Sequence, residues 1–253
     1  MIKIYTFGDF DIRLNNKSIL GDIRYQQRIM KLFKYFLTFE GKKILPEIII
    51  EDLWGEKDYN DPLGVLRTQI FRVRRMFDGC TYLDKPFYDI KFINGYYIFK
   101  VSEGCRLDFR EFETLLNKGN FLYKEDVDEA VLALKEGLSL YRGEYLEELE
   151  HENWLIPIRN RFDRLFLKGL SNQLEELKIR KMYYDIIEIA EKTIEFKPYE
   201  ELVNYYFIDA LMEIGQKKYA INHYEYYTSK LYNDLSIKPS EKIKDLYKRI
   251  QNH

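Results

Sequence analysis

Two cysteines in 253 residues exclude a disulfide framework, and Cys80 and Cys105 stand too far apart, without other sulfur ligands, to form a zinc site. Histidine is almost as scarce, with three, and none lies near a nucleophile motif. Neither GxSxG nor a phosphate-gripping GxxxxGK[ST] occurs, so an enzyme is not expected and no metal or other cofactor is implied. No run approaches the roughly 20 uncharged apolar residues that cross a bilayer. Asp9 and Asp11 interrupt the stretch where a signal peptide needs apolar continuity, which makes the expected location cytoplasmic and the expected contact with membrane none.

What is present is apolar enough to fold, at 46% hydrophobic, and long enough for two domains. The net charge of −2 conceals two different halves. Residues 1–101 carry 17 Lys and Arg against 13 Asp and Glu, and residues 102–253 carry 23 against 29. Only the first half favours a polyanionic partner.

The opening MIKIYTFGDFDIRLNNKSIL alternates apolar and polar residues around an Asn15-Asn16 turn, which predicts a small antiparallel sheet. Ile29, Leu32, Phe33, Phe36 and Leu37 then recur at helical spacing up to a left-handed cap at Gly41. Pro46 opens a second, short helix ending at Gly55, and Asp61-Pro62 opens a third, closed by Gly79. FYDIKFINGYYIF, with Asn94-Gly95 between two β-branched and aromatic runs, is a hairpin signature. Strands, three helices and a terminal hairpin describe a winged helix-turn-helix over residues 1–101. Ser102, Glu103 and Gly104 mark a boundary, and from 108 to 250 the chain reads as amphipathic helices. KMYYDIIEIAEKTIEFKP and KKYAINHYEYYTSKLYNDLSIKP repeat weakly, giving helix pairs about 36 to 41 residues apart, close to a tetratricopeptide period, with Ala190 and Ala220 as small contact residues. The expected fold is therefore an α+β winged helix-turn-helix domain followed by an all-α tetratricopeptide-like helical repeat domain over 102–253.

The third helix, DPLGVLRTQIFRVRRMF, carries the main functional signal. Leu63, Leu66, Ile70, Val73 and Phe77 form one apolar stripe. Thr68, Phe71, Arg72 and Arg75 fall opposite it, and Arg67, Gln69 and Arg74 lie on its flanks. Arginines on a helix commonly just solvate it and pair with acids. Here no Asp or Glu stands between Pro62 and Phe77, so i,i+4 pairing cannot neutralise them. Unpaired cations on the third helix of a helix-turn-helix match major-groove binding, where arginine grips guanine or phosphate.

PEIIIEDLWGEKDYNDPLGVLRTQIFRVRRMF, followed by FINGYYIF, resembles the DNA-binding domain of the OmpR type. Downstream, LDFREFETLL, AVLALKEGLSLYRGEYLEEL and WLIPIRNRFDRL resemble the bacterial transcriptional activator domain, in the order found in SARP-type transcriptional regulators. The resemblance covers nearly the whole chain. It puts the base- and phosphate-contacting face on Arg67, Thr68, Gln69, Arg72, Arg74 and Arg75. Many relatives bring an arginine into the minor groove ahead of the wing glycines; here the wing offers Lys91, Phe92, Ile93 and Asn94 before Gly95-Tyr96, with Lys91 as the remaining cation and Lys91, Asn94 and Tyr96 as the candidate contacts. Phe71 replaces a usual polar residue and could meet a thymine methyl or cover a neighbouring helix. The resemblance implies double-stranded DNA as partner, direct-repeat operators, a homodimer, and activation through RNA polymerase.

Two other clusters stand outside this pattern. The acidic GEYLEELEHENW around His151 reads as a solvated turn rather than paired catalytic carboxylates or a metal site. Tyr183, Tyr184, Tyr205, Tyr206, Tyr224, Tyr226 and Tyr227 read as interhelix packing, with room for a partner groove. A protein-interaction adaptor working through those helices is the competing function.

Overall fold

The computed structural model describes residues 1–21, 26–55, 60–78, 83 and 86–252. The packing groups the chain into two units, and the chain passes between them more than once. Met1–Thr114 belong with Ser139–Leu165, and Leu115–Leu138 belong with Phe166–His253.

In the first unit, β1 (Ile2–Tyr5), β2 (Asp11–Leu14) and β3 (Lys17–Ser18) form the expected antiparallel meander. Asn15 and Asn16 both take positive φ, 49° and 67°, the left-handed pair that a tight hairpin needs. A fourth strand, β7 (Cys105–Leu107), pairs with β1 in parallel and completes the order β3-β2-β1-β7. α1 (Gln27–Thr38), α2 (Pro46–Trp54) and α3 (Pro62–Arg74) follow, with β4 (Lys43–Ile44) between the first two. The hairpin β5 (Tyr88–Ile93) and β6 (Tyr96–Val101) joins β4 in a sheet ordered β4-β6-β5. Phe33 of α1 sits at the centre of this layer, its ring 5.1 to 6.4 Å from those of Tyr88, Phe99, Phe77 and Phe87. Edge-on aromatic packing of this kind adds to the ~1.5–3 kcal/mol from burying each ring.

Residues 139–165 return to the amino-terminal sheet. Tyr145 bridges Phe7, the Leu146 amide donates to the Thr6 carbonyl at 2.8 Å, and the Gly8 amide donates to the Glu144 carbonyl at 3.0 Å. The side chain of Phe7 lies within a ring cluster of Phe112, Tyr141, Tyr145 and Phe162. Gly8 and Gly143 make this approach possible: a Cβ on Gly143 would lie 2.9 Å from the Gly8 Cα. Arg159 holds the returning segment, donating to the carbonyls of Tyr145, Leu146 and Leu149. Asp108, buried where α4 (Asp108–Leu122) begins, accepts from the Thr6 amide at 2.7 Å, the Thr6 hydroxyl at 2.5 Å and the Phe7 amide at 3.2 Å. The motif LYRGEYL with its later Trp and Arg is thus a packing device within this unit.

The second unit is helical among its described residues and includes most of α5 (Val127–Leu140). α7 (Tyr183–Phe196), α8 (Glu201–Glu213), α9 (Lys217–Leu235) and α10 (Glu241–Asn252) succeed one another through short turns, and each of the first three packs on the next. α7 and α9 begin 34 positions apart, the tetratricopeptide period. Ala190 and Ala220 are fully buried. Of the tyrosines, Tyr227 is buried, Tyr224 stacks on Tyr247 at 4.1 Å, and Tyr184 and Tyr226 are exposed. His223 approaches Asn204, with Nε2 2.8 Å from Oδ1. Among the described residues no helix is long and apolar enough to cross a membrane.

Candidate nucleic-acid interface

α3 starts as its sequence dictates. The Asp61 carboxylate accepts from the Gly64 amide at 2.9 Å and Pro62 fills the first turn. It ends at Arg74, three residues before the expected Phe77, because the Arg75 and Met76 amides bond back to the Arg72 and Val73 carbonyls as a tighter turn. The expected closure at Gly79 lies outside the described residues, as does Cys80, while Cys105 is half-buried and free. Leu66, Ile70, Val73 and Phe77 are buried as the stripe requires. Leu63 departs from it at 38% exposed, since the first turn extends past the edge of the core.

Arg67, Thr68, Phe71, Arg72, Arg74 and Arg75 are all exposed. Gln69 is not: only 8% of it is accessible and its Oε1 has no hydrogen-bond partner among the described residues. It stands beside Ile70 on the packed side, so the flank position given by helical arithmetic is covered by the body of the unit. The four arginines also differ from one another. Arg74 donates from Nε and Nη2 to the Ile90 carbonyl, and Arg75 pairs with Asp78 at 2.8 Å, an acid one residue beyond the apolar stripe. Arg67 and Arg72 have no acid partner among the described residues. Phe71 is 55% exposed and lies 5.6 Å below the Arg75 guanidinium, so it does not serve as cover for a neighbouring helix of this unit. The Thr68 hydroxyl donates to the Gly64 carbonyl at 2.9 Å and keeps its lone pairs outward.

The wing is fixed to this helix. The Tyr88 hydroxyl donates to the Val73 carbonyl. Burial raises the Tyr97 pKa, and the positive charges of Arg67 and Arg74 pull it partly back. Asn94 and Gly95 take φ of 52° and 84°. Asn94 is exposed, Tyr96 is half-buried, and Lys91 is exposed beside Asp89 at 3.5 Å. Phe92 and Ile93, which the sequence places at the wing without a contact role, are both open to solvent at the tip.

The acidic turn is solvated as expected, with Glu144, Glu147, Glu148, Glu150 and His151 exposed, but it also makes ion pairs. Glu148 pairs with the buried Lys34, Glu152 with Lys31 at 2.5 Å, and Glu144 with Arg159 at 3.1 Å. Burial lowers the Lys34 pKa, with Glu148 opposing. These acids therefore neutralise α1 and α6 (Ile156–Ile179), and α3 is left with its own cations. His151 is exposed beside Glu150, and no group of three or more His, Cys, Asp or Glu suited to a metal occurs among the described residues.

Comparison with known proteins agrees with this architecture. The profile of the bacterial transcriptional activator domain matches residues 107–251. The transcriptional regulator RedD of Streptomyces coelicolor is 20% identical over 199 residues, which are 79% of this chain and 57% of RedD. A solved structure of Mycobacterium tuberculosis EmbR, in complex with a low-affinity phosphopeptide, superposes with a TM-score of 0.70 at 15% identity, over 99% of this chain and 65% of that one. That likeness is one of fold, a winged helix joined to a helical activator domain. The chain thus spans less than two thirds of the length of either relative. With more than half of its residues matched by the activator-domain profile, the chain belongs to the SARP-type bacterial transcriptional regulators.

Proposed function

We propose that this regulator binds duplex DNA sequence-specifically through α3 and acts as an activator. The reading face lies in residues 1–101, whose unit also takes in 102–114 and 139–165 instead of ending at the expected boundary near 102, and the remaining helices make the contacts with partners. The observation that carries the reading is an exposed face on the third helix with Arg67, Thr68 and Arg72 unshielded by acids among the described residues. Arg72 is the base reader and Arg67 a phosphate contact, with Phe71 available to a thymine methyl. Arg75, being paired, contributes less, and Arg74 serves mainly to position the wing. A homodimer on direct repeats and contact with RNA polymerase follow from the family. Location in the cytoplasm follows from the same role.

The test is the salt dependence of binding to duplexes recovered by the full chain from a random pool. Log K against log[salt] should fall with a slope of about −0.9 for each phosphate neutralised. The adaptor alternative draws on the exposed Tyr184 and Tyr226 of the second unit. It predicts a flat salt response and no enrichment of any duplex.

A further inference from the structure

The tip of the β5–β6 hairpin holds two apolar side chains in open water, Phe92 at 55% and Ile93 at 46% exposure. Strand alternation puts Phe92 on the same face as Tyr88 and Ile90. Both of those are buried, and both are bonded to α3 through Val73 and Arg74. Phe92 therefore continues, past the edge of the core, the side of the hairpin that the arginine helix occupies. Its ring leans on Tyr97, 4.7 Å between centroids and tilted 46°, which holds it off the backbone without covering it. The nearest cation on its own strand, Lys91, sits beside Asp89.

Distance and charge both favour DNA as the occupant. From the Arg74 anchor at Ile90 to Ile93 the strand advances roughly 10 Å, at about 3.3 Å per residue. That exceeds the half-width of a major groove about 12 Å across, so a tip that starts from the groove α3 would occupy reaches its phosphate edge. Arg74 is anchored on the strand two residues before Phe92, and Arg67 is exposed on α3 with no acid partner among the described residues, so both cations suit the phosphates between helix and wing. The left-handed Asn94-Gly95 turn keeps the tip two residues wide, narrow enough for a minor groove about 6 Å across.

Resting on the DNA-binding reading above, we propose that Phe92 is an apolar wedge that enters the minor groove beside α3 and partly unstacks one base step. The wing then selects its site by deformability, favouring a flexible pyrimidine–purine step, instead of by a hydrogen-bonded cation. Ile93, on the opposite face of the strand, lines the groove wall.

The experiment uses the full chain and a duplex it has selected from a random pool, with 2-aminopurine placed stepwise through the flank next to the α3 half-site. Binding should brighten the probe at one step, and pyrimidine–purine pairs should be enriched there. Phe92→Ala should abolish the brightening and weaken binding about 5- to 100-fold, as loss of a base–aromatic stack does. Phe92→Leu should restore much of both, because leucine also wedges. Thermal melts of the free variants check that the hairpin is intact. Unchanged affinity and fluorescence in a folded Phe92→Ala protein would overturn the wedge while leaving the regulator reading standing. A change in sedimentation of the free protein with DNA binding unaltered would also overturn it, assigning the tip to a second copy. Selection of no duplex at all would remove the regulator reading and the wedge together.

Discussion

The guanidinium of Arg74 donates twice to the carbonyl oxygen of Ile90, from Nε at 3.2 Å and from Nη2 at 2.7 Å. One side chain thereby joins the last residue of the arginine helix to the strand that carries the wing. The planar fork of arginine suits this bond, and a lysine ammonium cannot reproduce it. Arg74→Ala should lower stability by about 1–2 kcal/mol in urea unfolding, the range for a charge-assisted bond that is only partly buried. It should also weaken binding to all duplexes alike, and Arg74→Lys should recover little. Full stability in Arg74→Ala would show that the wing is held by Tyr88 and the aromatic core alone.

Arg72 and Arg67 should separate by specificity. Arg72→Ala is expected to cost about 1–3 kcal/mol on the preferred duplex and to relax base choice at one position, measured by competition among single-base variants. Arg67→Ala should weaken every duplex equally and reduce the salt slope by about one contact. An equal loss on all sequences for Arg72→Ala would remove it from the base readers.

His223 gives the second unit a pH signature. Burial pulls its pKa down to about 4 from the ordinary 6.5. Its Nε2 faces Asn204 Oδ1, while the Asn204 amide nitrogen is committed to the carbonyls of Pro198 and Glu200, so the neutral ring donates from Nε2. A ring kept neutral when folded and protonated when unfolded supplies stability that is complete above pH 6.5. That stability drains as pH falls towards 4 and is level below. The loss should be about 2 kcal/mol, less than full linkage gives because the ring is only partly buried. Thermal melts monitored by helical circular dichroism from pH 7.5 to 4 should show it, and His223→Gln should flatten that part of the profile. An identical profile in the variant would place the sensitivity elsewhere.

Gly143 should tolerate no side chain. Its Cβ would collide with Gly8, and its own φ is 158°. Gly143→Ala should therefore destabilise by about 2–3 kcal/mol, seen as a lower unfolding midpoint with an unchanged denaturant slope. A neutral result would mean that the two backbones can part without loss.

Features set by adjacent residues were legible in the sequence. Asn15-Asn16, Asn94-Gly95 and Asp61-Pro62 each act through local dihedrals or a cap three residues away, and each stands where the sequence put it. The alternation of the apolar stripe likewise gave Leu66, Ile70, Val73 and Phe77 their burial. Features set by distant chain were not legible. The burial of Gln69, the use of Arg74 on Ile90 and the pairing of β1 with β7 across a hundred residues all depend on which surfaces meet. Exposure of Phe92 was hidden for the same reason, since an aromatic residue in an alternating strand reads as core until the edge of that core is known.

Because Tyr145 and Phe162 pack on Phe7 and Trp154 packs on Tyr35 of α1, the amino-terminal unit is assembled only once some 165 residues have been synthesised. A fragment cut after the wing would strip Phe7 of the rings of Phe112, Tyr141, Tyr145 and Phe162, and Tyr35 of Trp154. Anyone grafting this unit onto another effector should move the cut past the end of that returning stretch, or carry the stretch along as a tethered piece.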